Sequence, residues 1–315
     1  MSIEQPISTQ TIAGFWRRFG AFFIDCLLLG IVGMVIGLVF VDDLVAIGVW
    51  GRLLGFVIAL IYFGILNSKI GNGQTIGKYL LKIKVVGRDG MPLSLLKSLL
   101  RFLPLGLPWF LNKAQFPTAT LSAPLSLLLM VVIFGLGFSI IYLNLFNRRS
   151  RQSLHDLLVG SYVVTAQSTG EVSASPIWRP HLLVCALFIL SISSLQFFVP
   201  DLAESESFSS FLRAYHAVTA EPGVINAKLN KDTLSSSRGK TTSVNLFAFL
   251  DAPDINNEQL ARRLATIVLE TDTSTMNVDA VRVTLVYGYD IGIASSWRSH
   301  NFSRTPAEWN AEIVD

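Results

Sequence analysis

Long apolar runs alternate with short polar, basic segments as far as about residue 200, where the pattern changes character. A helix crosses the bilayer hydrocarbon in about 20 residues, because the hydrocarbon is about 30 Å thick and each residue rises about 1.5 Å. Phe19–Val41 has that length with Asp25 as its one charge, and Leu44–Leu66 has it with Arg52 as its one charge. Leu121–Phe146 carries no charge, and His181–Val199 none apart from its histidine. Spans are therefore predicted over 19–41, 44–66, 121–146 and 181–199. Leu93–Asn112 is apolar too, but contains Lys97, Arg101, Pro104 and Pro108, the composition of a kinked helix packed against protein. The first run exceeds the apolar stretch of a signal peptide and has no small-residue cleavage site before Asp42, so it reads as a retained anchor.

After residue 200 the periods shorten. Phe208, Phe211, Leu212, Tyr215 and Val218 are at helical spacing within Glu206–Val218. Val224–Leu229 and Ser243–Leu250 read as strands joined by the polar loop Asp232–Lys240. Asn256 with Gln259 forms a capping-box pattern ahead of Leu260, Leu264, Ile267 and Val268, one face of a helix. Val281–Tyr287 alternates as a strand, and Ile291–Phe302 returns as the last one. The expected fold is an all-α transmembrane helical bundle of about five spans, followed by a small α+β domain over 200–315.

Composition and charge add the orientation. Of the residues 51% are hydrophobic and 15% charged, with mean hydropathy +0.51, whereas soluble domains carry about 25% charged residues. The segments 1–18, 67–101 and 147–180 hold 13 basic and 4 acidic residues, and 201–315 holds 10 basic and 15 acidic. Basic residues near span ends favour the cytoplasm. Keeping Arg17/Arg18, Lys69 to Arg101, and Arg148/Arg149/Arg151 on one side requires a crossing between the last two clusters, which 93–112 supplies. The expected layout has residues 1–18 in the cytoplasm, a membrane domain over 19–165, a cytoplasmic linker at 166–180, and the domain 200–315 outside. Leu80–Val86, followed by the turn Gly87–Gly90, reads as a short basic strand lying on anionic headgroups, with the β-prone Leu158–Val164 as its partner.

Three ordered motifs carry a resemblance. Arg18-Phe-Gly-Ala-Phe-Phe-Ile-Asp25 opens the first span, and Gly73-Gln-Thr-Ile-Gly77-Lys-Tyr-Leu-Leu-Lys-Ile-Lys-Val-Val86 follows the second. Arg148-Arg-Ser-Arg-Gln-Ser-Leu-His-Asp156-Leu-Leu-Val-Gly160 follows the run 121–146. Over about residues 14–165 the chain resembles the RDD family of bacterial integral membrane proteins, whose arginine and two aspartates would be Arg18, Asp25 and Asp156. Lys82 stands where that family often has a small residue. The resemblance implies a membrane domain in a bacterial cytoplasmic membrane without a settled activity; cation/proton exchange has been proposed for some members. Residues 200–315 lie outside it.

Asp25 lies roughly 9 Å inside the span by helix rise, where a carboxylate is partnered or functional. The structural expectation pairs it with basic residues and locks the spans together; the alternative is a proton or cation relay. Arg18 is seven positions earlier, beyond the usual i,i+4 reach. Arg52 is expected to snorkel to the opposite surface, towards Asp42 or Asp43. Gly30, Gly33 and Gly37 repeat the spacing of Gly48, Gly51 and Gly55, predicting a close-packed first hairpin. Gly73 to Gly77 encloses three residues and Tyr79 follows Lys78, which is not a Walker A loop. Cys26 and Cys185 sit in apolar runs as small hydrophobes, His216 and His300 are isolated, and no HExxH, CxxC or GxSxG occurs. The expectation is no enzyme, cofactor, metal or nucleic-acid partner. The chain is read instead as a scaffold, assembly or sensing component whose outer domain contacts a protein partner. The alternative is a cation- or proton-coupled transporter using Asp25, as a homo-oligomer because five spans enclose little.

Overall fold

The computed structural model describes residues 10–114, 123–197, 206–236 and 239–311. Residues 1–9, the first two positions of the predicted span at 121–146 and the last two of that at 181–199 lie outside the described residues. The chain divides into two compact units: Met1–Leu38, Val49–Gln196 and Ile291–Ala294 in one, Val39–Gly48, Phe197–Asp290 and Ser295–Asp315 in the other.

Helices dominate the first unit. Helix α1 (Phe15–Val39) buries Ala21, Asp25, Leu29, Gly33 and Gly37, a stripe at i,i+4 spacing that leaves most of its other large aliphatic residues outward. After α2 (Val41–Ile47), helix α3 (Gly51–Leu66) repeats the device with Gly51, Gly55, Ala59 and Phe63. Among the described residues three helical stretches, Phe15–Val39, Val41–Leu66 and Pro124–Phe146, are long and apolar enough to cross a membrane. Helix α5 (Leu95–Leu111) has 17 residues and runs through Pro104 and Pro108. The third stretch is built of α6 (Ala123–Met130), a π-helical turn (Val131–Leu136) and α7 (Gly137–Phe146). Helix α9 (Arg179–Ser194) is apolar but has only 16 residues. An α-helical membrane region joined to an α+β domain is thus the architecture.

The segment after α3 turns through Asn72 and Gly73, both with positive φ, into the short α4 (Ile76–Leu80), capped by Thr75. Strand β1 (Ile83–Val86) pairs antiparallel with β2 (Tyr162–Thr165), which follows α8 (Leu154–Val159). The predicted partnership of these two segments is therefore present, in the register Ile83 to Thr165. Lys82, between α4 and β1, has φ 54°. That left-handed conformation is one glycine adopts without steric cost, which accounts for a small residue being suited to this position. The glycines of the first hairpin have a different role from the one expected. A Cβ on Gly55 would come 1.7 Å from the Ile291 carbonyl oxygen and 3.2 Å from the Phe110 ring of α5, so this glycine admits main chain and a ring of the same unit, not α1.

In the second unit, α10 (Glu206–Thr219) precedes β3 (Val224–Ser236) and β4 (Gly239–Leu250). Helix α11 (Glu258–Thr271), strands β5 (Ala280–Asp290) and β6 (Ser295–Arg304), and the short α12 (Pro306–Ala311) complete it. The sheet order is β3-β4-β5-β6, with β4 and β5 parallel and the other pairs antiparallel. Parallel neighbours need a crossover, and α11 supplies it. Two sequence expectations shift here. The predicted loop 232–240 is mostly ladder, extending to Ser236 opposite Gly239, because its Ser and Thr residues pair across strands as readily as they turn. The cap of α11 is Asn257, whose side chain accepts from Leu260 N at 2.9 Å, not Asn256.

Alternate residues of β4 (Val244, Leu246, Ala248) and β5 (Val281, Val283, Leu285) share one core with Ala214 and Val218 of α10 and Leu260, Leu264 and Val268 of α11. Trp309 closes it, 1% exposed, with Nε1 donating to Val281 O at 3.0 Å. Every member of this core lies between residues 211 and 309. Residues 205–315 expressed alone should accordingly show a cooperative thermal transition in far-UV circular dichroism. Trp309→Ala should weaken that transition by about 3–5 kcal/mol; a featureless spectrum of the parent fragment would refute autonomy.

Candidate functional site

Asp25 is fully buried on the inward stripe of α1. Its Oδ1 accepts from the Tyr62 hydroxyl at 2.7 Å and from Gly77 N at 2.8 Å, and its Oδ2 from the Thr75 hydroxyl at 2.5 Å. Tyr62 Oη in turn accepts from Ile76 N at 3.3 Å, and Thr75 Oγ1 from Lys78 N at 3.3 Å. The carboxylate therefore gathers α1, α3 and the turn into α4. That approach is close: a Cβ on Gly77 would lie 2.1 Å from Ala21 O and 3.0 Å from Asp25 Oδ1. The donors are neutral, whereas the sequence pointed to basic partners. Three hydrogen bonds from neutral donors compensate the burial of this carboxyl group.

Asp156 is held differently. It sits in the first turn of α8, where its side chain and that of Ser153 form a capping box. Oδ2 accepts from Arg18 Nη2 at 2.7 Å, and Oδ1 from Arg101 Nη2 at 2.7 Å, Arg101 Nε at 3.0 Å and the Ser161 hydroxyl at 3.0 Å. Arg18 also donates to the Arg151 carbonyl. One carboxylate, 1% exposed, thus binds arginines from α1 and α5 to the start of α8. Burial alone would push its pKa up; the charges of Arg101 and Arg18, with the Arg101 hydrogen bond, outweigh burial and hold it well below the usual carboxylate range. Beside it, burial holds the His155 imidazole down to about 3 against the opposing pull of Asp156. His155 is therefore neutral at pH 7, and its Nε2, 3.5 Å from Asp156 Oδ2, does not make an ion pair there.

Arg52 donates from Nε to Phe110 O at 2.9 Å and from Nη2 to Trp109 O at 2.8 Å. Among its partners are thus the last carbonyls of α5, which carry the negative end of a helix dipole. Of the four residues singled out from sequence, Arg18 and Asp156 meet directly, Asp25 forms a separate cluster, and Arg52 belongs to neither. Arg101, Tyr62, Thr75, Gly77 and Lys78 are the additions made by the fold. Arg101 had a legible signal, an arginine inside an apolar helix; the neutral donors of Asp25 had none beyond their place in the second motif.

Residues 12–160 match the model of the RDD family. A relative, the "Uncharacterized protein YckC" of Bacillus subtilis (strain 168), is 26% identical over 170 residues, which is 53% of this chain and 89% of that protein. No solved structure matches the chain. Arg18 and Asp156 are joined in one ion pair, Asp25 is set among the donors of the second motif, and residues 12–160, which span all three motifs, are similar to the RDD family.

Proposed function

We propose that this protein is a non-enzymatic component of a bacterial cytoplasmic membrane, with five spans, its N-terminus inside and its α+β domain outside. That domain contacts a protein partner, making the chain a scaffold, assembly or sensing component. The observation that carries the reading is the state of its two motif carboxylates. Asp25 has three fixed neutral donors and Asp156 two arginines, so both act as clamps between elements. A relay carboxylate has to exchange its partners as it loads and unloads, and neither has a free oxygen for that. The orientation rests on the excess of basic residues in 1–18, 67–101 and 147–180 and of acidic residues in 201–315. An alkaline phosphatase fusion after Asp315 should be active and one after Thr165 inactive; the reverse pattern would remove the five-span layout.

The decisive test against cation- or proton-coupled transport is Asp25→Asn. An amide keeps the shape but cannot titrate, and it replaces one acceptor oxygen by a donor facing other donors. As a clamp, Asp25→Asn should lower abundance and melting temperature in detergent by the equivalent of about 2–4 kcal/mol. A variant as stable as the parent that loses a pH-driven cation flux measured for the parent in proteoliposomes would make transport the function.

A further inference from the structure

Within the helical unit lies a cavity of about 380 Å³. Most of its wall is apolar, with Phe19, Phe22, Phe102, Leu105 and Ile141 among its residues. Arg18, Lys78, Arg101 and His155 also line it. Arg18 and Arg101 are engaged by Asp156. Lys78 is not comparably engaged. Its ammonium group makes one long hydrogen bond, 3.4 Å to Thr75 Oγ1, and stands 5.8 Å from the centre of the Phe63 ring. Among the described residues it forms no ion pair, although the side chain is only 9% exposed. Two further polar atoms on residues of this wall, His155 Nδ1 and Asn67 Oδ1, are buried with no hydrogen-bond partner.

We propose that this cavity binds an acyl chain with an acidic head, the chain lying among Phe102, Leu105 and Ile141 and the head against Lys78. Each part of such a ligand meets a need of the site. A buried ammonium with no direct ion pair is costly, and a carboxylate or phosphate oxygen at contact distance compensates it. The apolar walls exclude water from the chain. The volume is near the low end of about 300–1,000 Å³ for small-ligand sites, which suits one chain. Burial and the neighbouring Arg101 hold Lys78 down to about 7 despite the opposing effects of Asp25 and Asp156, and an anion in contact with its ammonium would relieve this. A free fatty acid and an anionic single-chain phospholipid share this chemistry. The proposal is independent of the partner of the outer domain.

The test uses the full chain in nanodiscs of phosphatidylcholine, with radiolabelled palmitate as the probe. Palmitate should bind saturably and raise the melting temperature. Competition by lysophosphatidylglycerol distinguishes the heads: the acid that binds more tightly identifies a carboxylate or a phosphodiester as the natural one. Hexadecanol, which has the chain without the charge, and inorganic phosphate, which has the charge without the chain, should not compete at the same concentrations. Lys78→Gln should weaken binding about tenfold or more. Leu105→Trp should do the same by filling the chain end while leaving Lys78 in place, and it carries the test if Lys78→Gln does not accumulate. No saturable binding of either acid, equal competition by hexadecanol, competition by phosphate alone, or undiminished binding in Leu105→Trp would each overturn the proposal.

Discussion

Asp156→Asn is expected to lose about 3–5 kcal/mol of stability, the largest effect of any uncharged isostere in the helical unit. The reason is what it leaves behind. Arg101 and Arg18 have side chains 9% and 13% exposed, and both point at this one carboxylate. With an amide there, two largely buried guanidinium groups face a neutral group that compensates neither. The same change weakens the capping box at the start of α8 and the bond from Ser161. Arg18→Met and Arg101→Met should each be milder, because Asp156 keeps one cation; Arg101→Met should be the worse, since Arg101 gives two hydrogen bonds to Oδ1 and is the more buried. Melting temperatures of the three variants in one detergent test the order. An Asp156→Asn protein that melts with the parent, or above Arg18→Met, would show that the arginines find other partners.

Gly77→Ala is the second large expected loss, for a steric reason. The new methyl would lie 2.1 Å from Ala21 O, and main chain on a packed helix cannot yield as a side-chain tip can. The turn before α4 would have to withdraw from α1, breaking the Gly77 N–H bond to Asp25 and the neighbouring one from Thr75. Strain of this kind costs about 1–3 kcal/mol and a hydrogen bond to a charged group about 1.5–3 kcal/mol, so about 3–5 kcal/mol together is expected. Gly160→Ala is the control. Gly160 has φ 67° with nothing within 4 Å of an added Cβ, so only its backbone conformation resists, at about 1 kcal/mol. Equal melting temperatures for the two variants would mean that the approach of α4 to α1 is not tight.

The sequence made those parts legible whose cause is local. Apolar runs marked the long helices at 15–39, 41–66 and 124–146, alternation marked β1 and β5, and β-prone composition marked β2 and the other strands of the α+β domain. The charge at Asp25 and the two motif residues Arg18 and Asp156 stood out because an ionised group among apolar neighbours is itself a signal. Their partners did not, since hydroxyls and main-chain N–H groups leave no charge pattern, and residues 75–77 reach Asp25 only through the turn at Asn72 and Gly73. Two adjacent asparagines, Asn256 and Asn257, have equal capping power, and only the path of the chain selects the second. Likewise, Ser and Thr suit both a loop and an exposed ladder, which is why the long hairpin of β3 and β4 was shortened from sequence.

The order in which the ribosome delivers these residues separates the two clamps in time. Everything Asp25 needs has been made once Gly77 has left the exit tunnel. Arg18 and Arg101 wait for Asp156, and β1 waits for β2, which pairs with it across some 80 residues. At 5–20 residues per second that delay is on the order of ten seconds. During it, Arg101 is without its counter-ion, and the nascent chain is expected to be exposed to quality control. A chain truncated before residue 150 and released from the ribosome should thus be degraded quickly, and one truncated after Thr165 and released should persist longer. The pairing of β1 with β2 can form only after the last of the three motifs has been synthesised.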